Sequence, residues 1–495
     1  MSKTDPRKIS RRKFVGAATA GATVAALGGG TRASEAAGKP YDVAIVGAGL
    51  SGLNAAMILT ELGANVIVLE ADQRTGGRCL TMDNWYLHPD LGGAQIGRTY
   101  ARVLDTARKL NVKLGPGAHI NAPYSFVLGD TLIPAKDWAG SPLNKTVGKE
   151  RAIPPHALGG YYVESRTPFT TLDGWLQPEA IKYDVSLADW LARAGASPEA
   201  QRIIRESQGR PLESLSVLRM MQEATSGKIS MSKFDPKELA GKDQFERAGI
   251  TSQHVVGGTS RLTDAMVASL KGRVKTGKRV MSIDLSDRGA ELRCADGTRV
   301  RARYALAAVP FTVLRNIAIT PSLKGDQGDA VRRMPYGNQS QVWLRIKKPY
   351  WEADGIEASM WTDGAFNLIR QQIESDGSRQ LMSVLAFSEK SVKLDAMPPA
   401  ERGRFAIAEI ERIRPSTKGA FEFVGAHSWE LAPFQRGCSF QMVPGRAYVW
   451  AQNMGKPHHT LHFAGEHLRR LEVGMEGAME SGEQAARELA EKLIA

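Results

Sequence analysis

Residues 41–52 have the sequence YDVAIVGAGLSG, in which an apolar run leads directly into glycines spaced G-x-G-x-x-G. The apolar run predicts a buried parallel strand, and residues 53–63 after it predict a helix that ends at a glycine. In this strand–turn–helix setting, Gly47 allows the tight turn, Gly49 lets the backbone approach a pyrophosphate, and Gly52 lets the helix pack against the strand. The segment therefore predicts the phosphate-binding turn of a dinucleotide-binding domain.

An acidic residue follows the next predicted strand at the place where such a domain requires one. Residues 65–69 form a second apolar run, and Glu70 at its end lies 23 residues after the first glycine of the turn. Its carboxylate is expected to accept hydrogen bonds from an adenosine ribose, while the amides at the helix start face the phosphates. We place three neighbouring residues in the same predicted cofactor site: Ala48, Ser51 and Ala71.

Two further glycine-rich loops indicate whether the dinucleotide is a nicotinamide or a flavin cofactor. Residues 76–78 have the sequence GGR, and residues 90–97 have the sequence DLGGAQIG. A nicotinamide enzyme does not need a second glycine–arginine loop here, whereas in flavin enzymes of this layout the arginine places a cation beside the diphosphate. The predicted cofactor is therefore FAD, and the loop residues expected to contact it are Gly77, Arg78, Gly93, Ala94 and Gln95.

The C-terminal sequence carries a second signature of a flavin site. Residues 461–466, LHFAGE, predict a strand that ends in Gly-Glu, and residues 474–482, GMEGAMESG, begin a final helix. A helix start built of small residues directs amides and a dipole at a cofactor and stabilises negative charge on it. The remaining predicted cofactor contacts are Val280, Gly465, Glu466 and Met475.

The order of these patterns predicts a domain that is interrupted by another. Residues between about 116 and 250 mix proline, glycine and aromatic residues with helical stretches, and specific patterns return at residues 257–262, GGTSRL. The predicted fold is α/β, with a Rossmann-type FAD-binding domain interrupted by a mixed α+β substrate domain. We assign residues 38–115, 250–325 and 430–495 to the FAD-binding domain and residues 116–249 and 326–429 to the substrate domain.

The first 37 residues are predicted to be a transport signal. Residues 10–15, SRRKFV, precede an Ala/Gly-rich run, and this arrangement resembles a twin-arginine export signal. That route carries proteins that have already folded around a cofactor, so we expect export to the periplasm or outside the cell. A disordered basic arm and a retained membrane anchor are the alternatives.

Composition narrows the remaining classes of function. The 495-residue chain carries a net charge of +13, but its Lys and Arg residues are scattered, which indicates a solvated basic surface rather than a nucleic-acid groove. No stretch beyond residue 40 is apolar for long enough to suggest a polytopic membrane protein. Three cysteines, of which Cys79 and Cys294 lack metal-ligand spacing, predict neither a disulfide scaffold nor a metal site.

Taken in order along residues 40–495, these motifs resemble those of the flavin-containing amine oxidase superfamily, which includes monoamine, polyamine and L-amino-acid oxidases. The AVP at residues 308–310 belongs to the same set. The resemblance implies FAD-dependent oxidation of an amine or amino acid, by transfer of a hydride equivalent from the carbon beside nitrogen to flavin N5. The imine then hydrolyses, while the protein supplies orientation, a dry pocket and electrostatics.

The positions that match the family's catalytic groups carry different residues in this chain. Aligned on the Val-Pro at 309–310, the lysine that many members hold near flavin N5 is replaced by Asn316, and Arg315 beside it is expected to point elsewhere along an alternating strand. The two aromatic residues that often flank the substrate amine correspond to Ser439, or to Phe440 after a gap, and to Gly474. This implies that the aromatic pair is absent or halved and that the pocket is wider or less aromatic. Without the lysine's charge we expect slow reaction with oxygen and electron transfer to a cytochrome or quinone-linked carrier. The alternative is that other groups, or the reduced flavin itself, suffice for reaction with oxygen.

Cys438 matches the cysteine to which monoamine oxidases bond the flavin covalently. The resemblance thus leaves two interpretations open at this position, covalent attachment and a buried small hydrophobic residue.

Two other functions of the same fold also stay open. One is a desaturase or isomerase that acts on carbon–carbon bonds of apolar polyenes, and the other is a non-catalytic accessory flavoprotein. The expected partners are a small-molecule amine or amino acid substrate, a periplasmic electron acceptor and the export machinery. Neither nucleic acid nor stable membrane insertion is expected.

Overall fold

Two large β-sheets organise the chain, and the helices connect or cover them. The computed structural model describes residues 40–116, 120–121, 123–242, 244–374 and 377–494. The predicted export signal at residues 1–37 lies outside these described residues. None of the helices in the described ranges is long and apolar enough to cross a membrane.

The first sheet is built around the strand that residues 41–46 predict. Tyr41–Val46 pairs in parallel with Val66–Leu69 on one side and with Arg299–Ala307 on the other. In this register the three strands end level with one another, so their carboxyl ends meet at one edge of the sheet. The order across the sheet is Val274–Lys275, Val66–Leu69, Tyr41–Val46, Arg299–Ala307, Gly289–Cys294, Val280–Ser286 and Ala318–Thr320, and Leu461–Phe463 pairs with Arg299–Ala307.

The glycine turn follows at this edge and allows contacts that a side chain would prevent. Gly47 has a φ of +104°, a conformation that glycine adopts far more readily than other residues. A Cβ atom on Gly52 would lie 2.1 Å from the Gly47 carbonyl oxygen. The helix therefore begins at Leu50, earlier than predicted, because Gly52 packs within its first turn against the end of the strand.

The C-terminal helix, Gly474–Ile494, packs directly on the helix that follows the turn, Leu50–Glu61. A Cβ on Gly482 would lie 2.3 Å from the Ser51 carbonyl oxygen, so the two backbones are in close contact. The Asn54 side chain also donates a 2.8 Å hydrogen bond to the Met479 carbonyl. These contacts bring the end of the chain onto its first phosphate-binding turn.

The second sheet takes its strands from the middle of the chain. Gln339–Ile346 pairs antiparallel with Leu381–Phe387, which pairs antiparallel with Leu368–Ile373. The helix Pro399–Ile413 covers one face of this sheet, where Val342 and neighbouring aliphatic residues are buried. The order across the sheet is Phe421–Ser428, Gln339–Ile346, Leu381–Phe387, Leu368–Ile373, Ser359–Thr362, Tyr124–Leu128 and Thr131–Ile133, and Ile120–Asn121 pairs with Leu368–Ile373.

Shorter strands and the helices complete the described chain. The short strands are Leu80–Thr81, Asp90–Gly92, Ile96–Gly97, Leu114–Pro116 and Ser252–Val255. The other α-helices are Ala101–Lys109, Leu158–Glu164, Leu187–Arg193, Pro198–Gln208, Val217–Met231, Pro236–Leu239, Gln244–Thr251, Ser260–Ser269, Phe311–Leu314, Gly325–Arg333, Tyr350–Asp354, Ser388–Asp395, Pro399–Ile413 and Ala447–Asn453. The 3₁₀ turns are Ala135–Asp137, Gly148–Ala152, Pro155–Ala157, Gly174–Leu176, Pro178–Tyr183, Leu212–Ser214, Pro415–Thr417 and Glu466–Leu468.

This architecture confirms the predicted fold class. The first sheet draws its strands from both sides of the chain segments that build the second sheet, as an interrupted Rossmann-type domain requires. The exact domain boundaries stay predictions of the sequence.

The contact between the two helices can be tested at Gly482. We expect Gly482→Ala to lower the free energy of unfolding by about 1–3 kcal/mol, because the new methyl group overlaps the Ser51 carbonyl. Gly227→Ala is the matched control, since Gly227 is an exposed glycine within a helix, and a Cβ added there would meet no atom within 4 Å. That control is expected to gain up to about 1 kcal/mol from helix propensity. Denaturant unfolding of both variants checks this, and equal stabilities would contradict the proposed close packing.

Candidate active site

A cavity of about 610 Å³ lies where the glycine turn of the first sheet faces the second sheet. Most of the predicted site residues line it, although they come from distant parts of the chain. They are Gly47, Gly49, Ser51, Glu70, Ala71, Gly77, Arg78, Gly93, Ala94, Gln95, Val280, Asn316, Cys438, Ser439, Gly465, Glu466, Gly474 and Met475. Two predicted contacts, Ala48 and Gly52, do not line the cavity and instead shape its wall from behind, because the turn directs them into the protein.

Glu70 is held rigidly at one end of the cavity. Its Oε2 accepts a 2.7 Å hydrogen bond from the Ala48 amide, and its Oε1 accepts a 2.9 Å hydrogen bond from the Asp72 amide. Burial raises the pKa of Glu70, and the two amide hydrogen bonds oppose that shift. Each carboxylate oxygen keeps a second lone pair, so the side chain can still accept from a diol.

Arg78 and Glu466 form a second polar group further along the cavity. The Arg78 Nη1 donates a 2.6 Å hydrogen bond to the Cys438 carbonyl, and its Nη2 lies 3.8 Å from the Glu466 Oε2. That Oε2 is buried and has no hydrogen-bond partner among the described residues. The Glu466 Oε1 accepts a 2.5 Å hydrogen bond from Arg469. A buried acceptor that has no hydrogen-bond partner in a cavity wall is suited to a hydroxyl-bearing ligand.

Asp90 of the DLGG loop holds that loop against the GGTSRL segment. Its Oδ1 accepts hydrogen bonds from the Thr81 hydroxyl at 2.6 Å and from the Thr259 amide at 3.0 Å. Gly93 beside this junction has a φ of +73°, and its backbone passes close to the Cys79 sulfur. The two segments together therefore hold a bare stretch of backbone against the cavity.

Asn316 lines the cavity, but the local structure around it differs from the prediction. The expected alternating strand is wrong: residues 311–314 form a short helix, because Pro310 fixes its start and the chain turns before the next strand. The Asn316 side chain donates a 2.9 Å hydrogen bond back to the Thr312 carbonyl. Arg315 donates to the carbonyls of Phe311 and Met334 at 3.1 and 2.8 Å.

A strand–turn–helix with a buried acid, a glycine–arginine loop and a small-residue C-terminal helix thus meet at one cavity. The family model described as "Flavin containing amine oxidoreductase" matches residues 50–490. The chain belongs to this family. It is an FAD-dependent oxidoreductase that acts on amines.

Full-length relatives and solved structures are similar to this amine oxidoreductase over nearly its whole length. The flavin-containing amine oxidase of Danio rerio is 25% identical over 472 residues, which cover 91% of this chain and 85% of the relative. The probable flavin-containing monoamine oxidase A of Dictyostelium discoideum is 24% identical, with coverage of 92% and 98%. The structure of cyclohexylamine oxidase from Brevibacterium oxydans IH-35A has a TM-score of 0.74 at 21% identity, with coverage of 92% and 100%. Putrescine oxidase bound to putrescine has a TM-score of 0.71 at 20% identity, with coverage of 91% and 99%.

The residues of this amine oxidoreductase fit FAD. Glu70 offers acceptors to a ribose, and the Gly47–Gly52 turn exposes backbone for a diphosphate. The Glu466 Oε2, which has no hydrogen-bond partner among the described residues, offers an acceptor to a polyhydroxyl chain. The last helix begins at Gly474, and Gly474 and Met475 line the same cavity, so the positive end of the helix dipole lies at the cavity wall.

Cys438 lies in the cavity wall as a neutral thiol. Its Sγ donates to the Gln339 Oε1 at 3.3 Å, and burial raises the pKa of the thiol. A covalent bond from this sulfur to the flavin stays a prediction of the resemblance.

Tyr100 is a cavity residue that the sequence motifs did not reveal. Its hydroxyl lies 3.4 Å from the position that a Cβ on Gly474 would take, so the phenol occupies space beside that glycine. Burial, with smaller contributions from Glu472 and Glu476, raises the pKa of Tyr100 to about 12. The hydroxyl therefore stays a hydrogen-bond donor at neutral pH. A tyrosine three residues after the DLGGAQIG loop was the only sequence signal for it.

The second sheet, together with the residue that follows its strand Phe421–Ser428, contributes further cavity residues that the sequence motifs did not reveal. They are Gln339, Gln341, Trp343, Arg370, Gln372, Ser383 and Trp429. Alternation along the strands could have grouped Gln339 with Gln341 and Trp343 on one face. It could not have shown which face meets the cofactor.

The role of Glu70 can be tested by Glu70→Gln. We expect FAD to bind about tenfold or more weakly, because the amide keeps the shape of the side chain but loses one acceptor oxygen and the negative charge. Glu61→Gln, an exposed change on the adjoining helix, is the matched control. Flavin content after dialysis and titration of apoprotein with FAD measure the effect. Unchanged affinity in a folded Glu70→Gln protein would contradict the assignment.

Proposed function

We propose that this enzyme oxidises the carbon–nitrogen bond of an amine or amino acid to an imine, which then hydrolyses. The supporting observation is the continuity of the cavity, which runs from the FAD-binding turn to a wall of side chains on the second sheet. FAD, when bound, accepts a hydride equivalent from the carbon beside nitrogen. The chain's own residues must then orient that carbon and keep water away from it.

The side-chain wall is suited to that task because its polar groups are fixed by each other. The Gln341 Nε2 donates a 2.9 Å hydrogen bond to the Leu91 carbonyl, and its Oε1 accepts one of 3.0 Å from the Trp343 indole. Trp343 and Trp429 are nearly fully buried and supply flat apolar surface that excludes water. A substrate that enters is thus held between a rigid polar–aromatic wall and the cofactor side of the cavity.

This wall also bears on the alternative functions. A polyene desaturase or isomerase needs an apolar tunnel, whereas this wall carries three glutamines, a serine and an arginine. The same polar groups favour a substrate that forms hydrogen bonds.

Anaerobic mixing of the purified holoenzyme with a panel of amines and amino acids tests the proposed reaction. We expect at least one class to bleach the flavin absorbance in a concentration-dependent manner, with formation of the corresponding aldehyde or ketone. Polyenes and alcohols of similar size serve as controls and should leave the absorbance unchanged. An enzyme with full FAD content that no amine or amino acid bleaches would contradict the proposal and favour an accessory role.

We further propose that an electron carrier, rather than oxygen, is the main acceptor. The family lysine is absent, and both Asn316 and Arg315 are bound to nearby carbonyls, so neither supplies a free cation at this place. We expect Asn316→Lys to speed reoxidation of the reduced enzyme by oxygen about tenfold, because a nearby cation stabilises the negative charge that develops on oxygen. Asn316→Gln is the control. If the unmodified reduced enzyme reoxidises in air as fast as substrate turns over, this part of the proposal is wrong.

Residues 1–37 support a proposal that the enzyme works in the periplasm or outside the cell. Arg11 and Arg12 precede an Ala/Gly-rich run, as in a signal for folded export. We expect replacement of both by lysine to retain the FAD-loaded protein in the cytoplasm, whereas the control Arg7→Lys should leave export unchanged. Cell fractionation with detection of the protein measures this, and normal export of the double variant would refute it.

A further inference from the structure

Three antiparallel strands of the second sheet form the cavity wall that faces the substrate side. Their register places Trp343 opposite Ser383, and Ser383 opposite Arg370. These three side chains all line the cavity, so they form one row across the sheet. Gln372, two residues after Arg370, lies on the same face because side chains alternate along a strand.

Arg370 is the charged residue of this row, and the described structure does not neutralise it. Its Nε is buried without a hydrogen-bond partner among the described residues. By contrast, Arg345 on another strand of the same sheet lies 3.6 Å from Glu422. No ion pair joins Arg370 to a described carboxylate. A buried donor that is left unpaired carries a desolvation cost, which a ligand can remove.

The acidic residues around the cavity are engaged elsewhere. Among the described cavity residues, Glu70 accepts from backbone amides, Asp90 accepts from Thr81 and Thr259, and Glu466 is paired with Arg469. Glu374 follows the strand that carries Arg370 but accepts a 2.6 Å hydrogen bond from Gln372. Tyr124 is hydrogen-bonded to Arg370, and burial raises the pKa of its phenol, so that side chain is neutral and leaves the arginine's charge uncompensated.

We propose that Arg370 binds a carboxylate on the substrate, so that the substrate class is an amine that carries a carboxylate group. This inference rests on the proposed amine oxidation and specifies its substrate. The planar guanidinium presents paired donors that match the two oxygens of a carboxylate. A plain alkylamine would leave the charge of Arg370 uncompensated, and a diamine would bring a second positive charge towards it.

The experiment compares substrates that differ only in the carboxylate. The holoenzyme is mixed anaerobically with the two members of three substrate pairs. The pairs are phenylalanine and phenethylamine, norleucine and pentylamine, and 6-aminohexanoate and pentylamine. The first two pairs place the carboxylate beside the amine, and the third places it at the far end. We expect the carboxylated member of at least one pair to saturate flavin bleaching at a lower concentration than its partner.

Arg370→Gln should remove that preference. We expect the half-saturating concentration of the carboxylated substrate to rise about 10- to 100-fold, while its limiting bleaching rate and the values for the plain amine change less than about threefold. Arg370→Lys keeps the positive charge but lacks the paired donors of the guanidinium, so it should recover part of the affinity for the carboxylated substrate. Arg345→Gln removes a charge from the same sheet outside the cavity and is the matched control.

Benzoate supplies a readout that does not depend on turnover. It is titrated into the oxidised holoenzyme, and the change in flavin absorbance reports binding. We expect Arg370→Gln to weaken benzoate binding by a similar factor, with unchanged FAD content. The inference would be overturned if Arg370→Gln raised the half-saturating concentrations of the plain amine and the carboxylated amine equally. It would also be overturned if the parent enzyme favoured plain amines. Amine oxidation would stand in both cases. If neither kind of amine bleaches the flavin, the proposed function fails, and the benzoate titration still tests Arg370 separately.

Discussion

Close contact between backbones at the Gly47–Gly52 turn is the constraint on which the rest of the site depends. A Cβ on Gly52 would overlap the Gly47 carbonyl, and one on Gly47 would lie 2.8 Å from the Ala308 carbonyl oxygen. Gly482 of the last helix approaches the Ser51 carbonyl in the same way. Because no side chain separates these backbones, segments from the beginning, middle and end of the chain meet at one place. The cofactor side of the cavity consists of what they leave exposed, which is mostly amide and carbonyl groups.

A buried ionic group then connects this cofactor side to the helices of the middle segment. Arg469 is 3% exposed and forms ion pairs with two glutamates. It lies 2.5 Å from Glu466 and 2.7 Å from Glu223, which belongs to the helix Val217–Met231. These ion pairs are costly to disrupt, because removal of one partner would leave an uncompensated buried charge. Arg219 also lies 2.7 Å from Glu223, and both Arg219 and Arg469 pack over the Phe440 ring. The orientation of Glu466 in the cavity is therefore coupled to the inserted part of the chain.

The two sides of the cavity are built from different chemical groups. The cofactor side uses backbone groups and a few carboxylates, which suit a ligand that is the same throughout a family. The opposite side uses side chains of the second sheet, such as Gln341, Trp343 and Arg370, which belong to other segments of the chain than the glycine turn. Tyr100 enters the space beside Gly474, a position that the resemblance matches to one of the family aromatics. Substrate choice can thus change while the redox chemistry stays the same.

The sequence by itself determined the cofactor side. Gly47, Glu70 and Arg78 belong to short segments whose strand–turn–helix geometry is local, so spacing along the chain was enough to predict the fold class and FAD. It did not determine the conformation around Asn316, where a short helix replaced the expected strand because Pro310 starts a new turn. Nor could it place Arg370 or Tyr100 in the cavity. Their positions depend on which strands pair, in which register, and which face of the sheet is turned to the cofactor. Because side chains alternate along a strand, the sequence separates the residues of one face from those of the other. It carries no information about what each face contacts, since those contacts come from distant parts of the chain. Only the tertiary structure decided them.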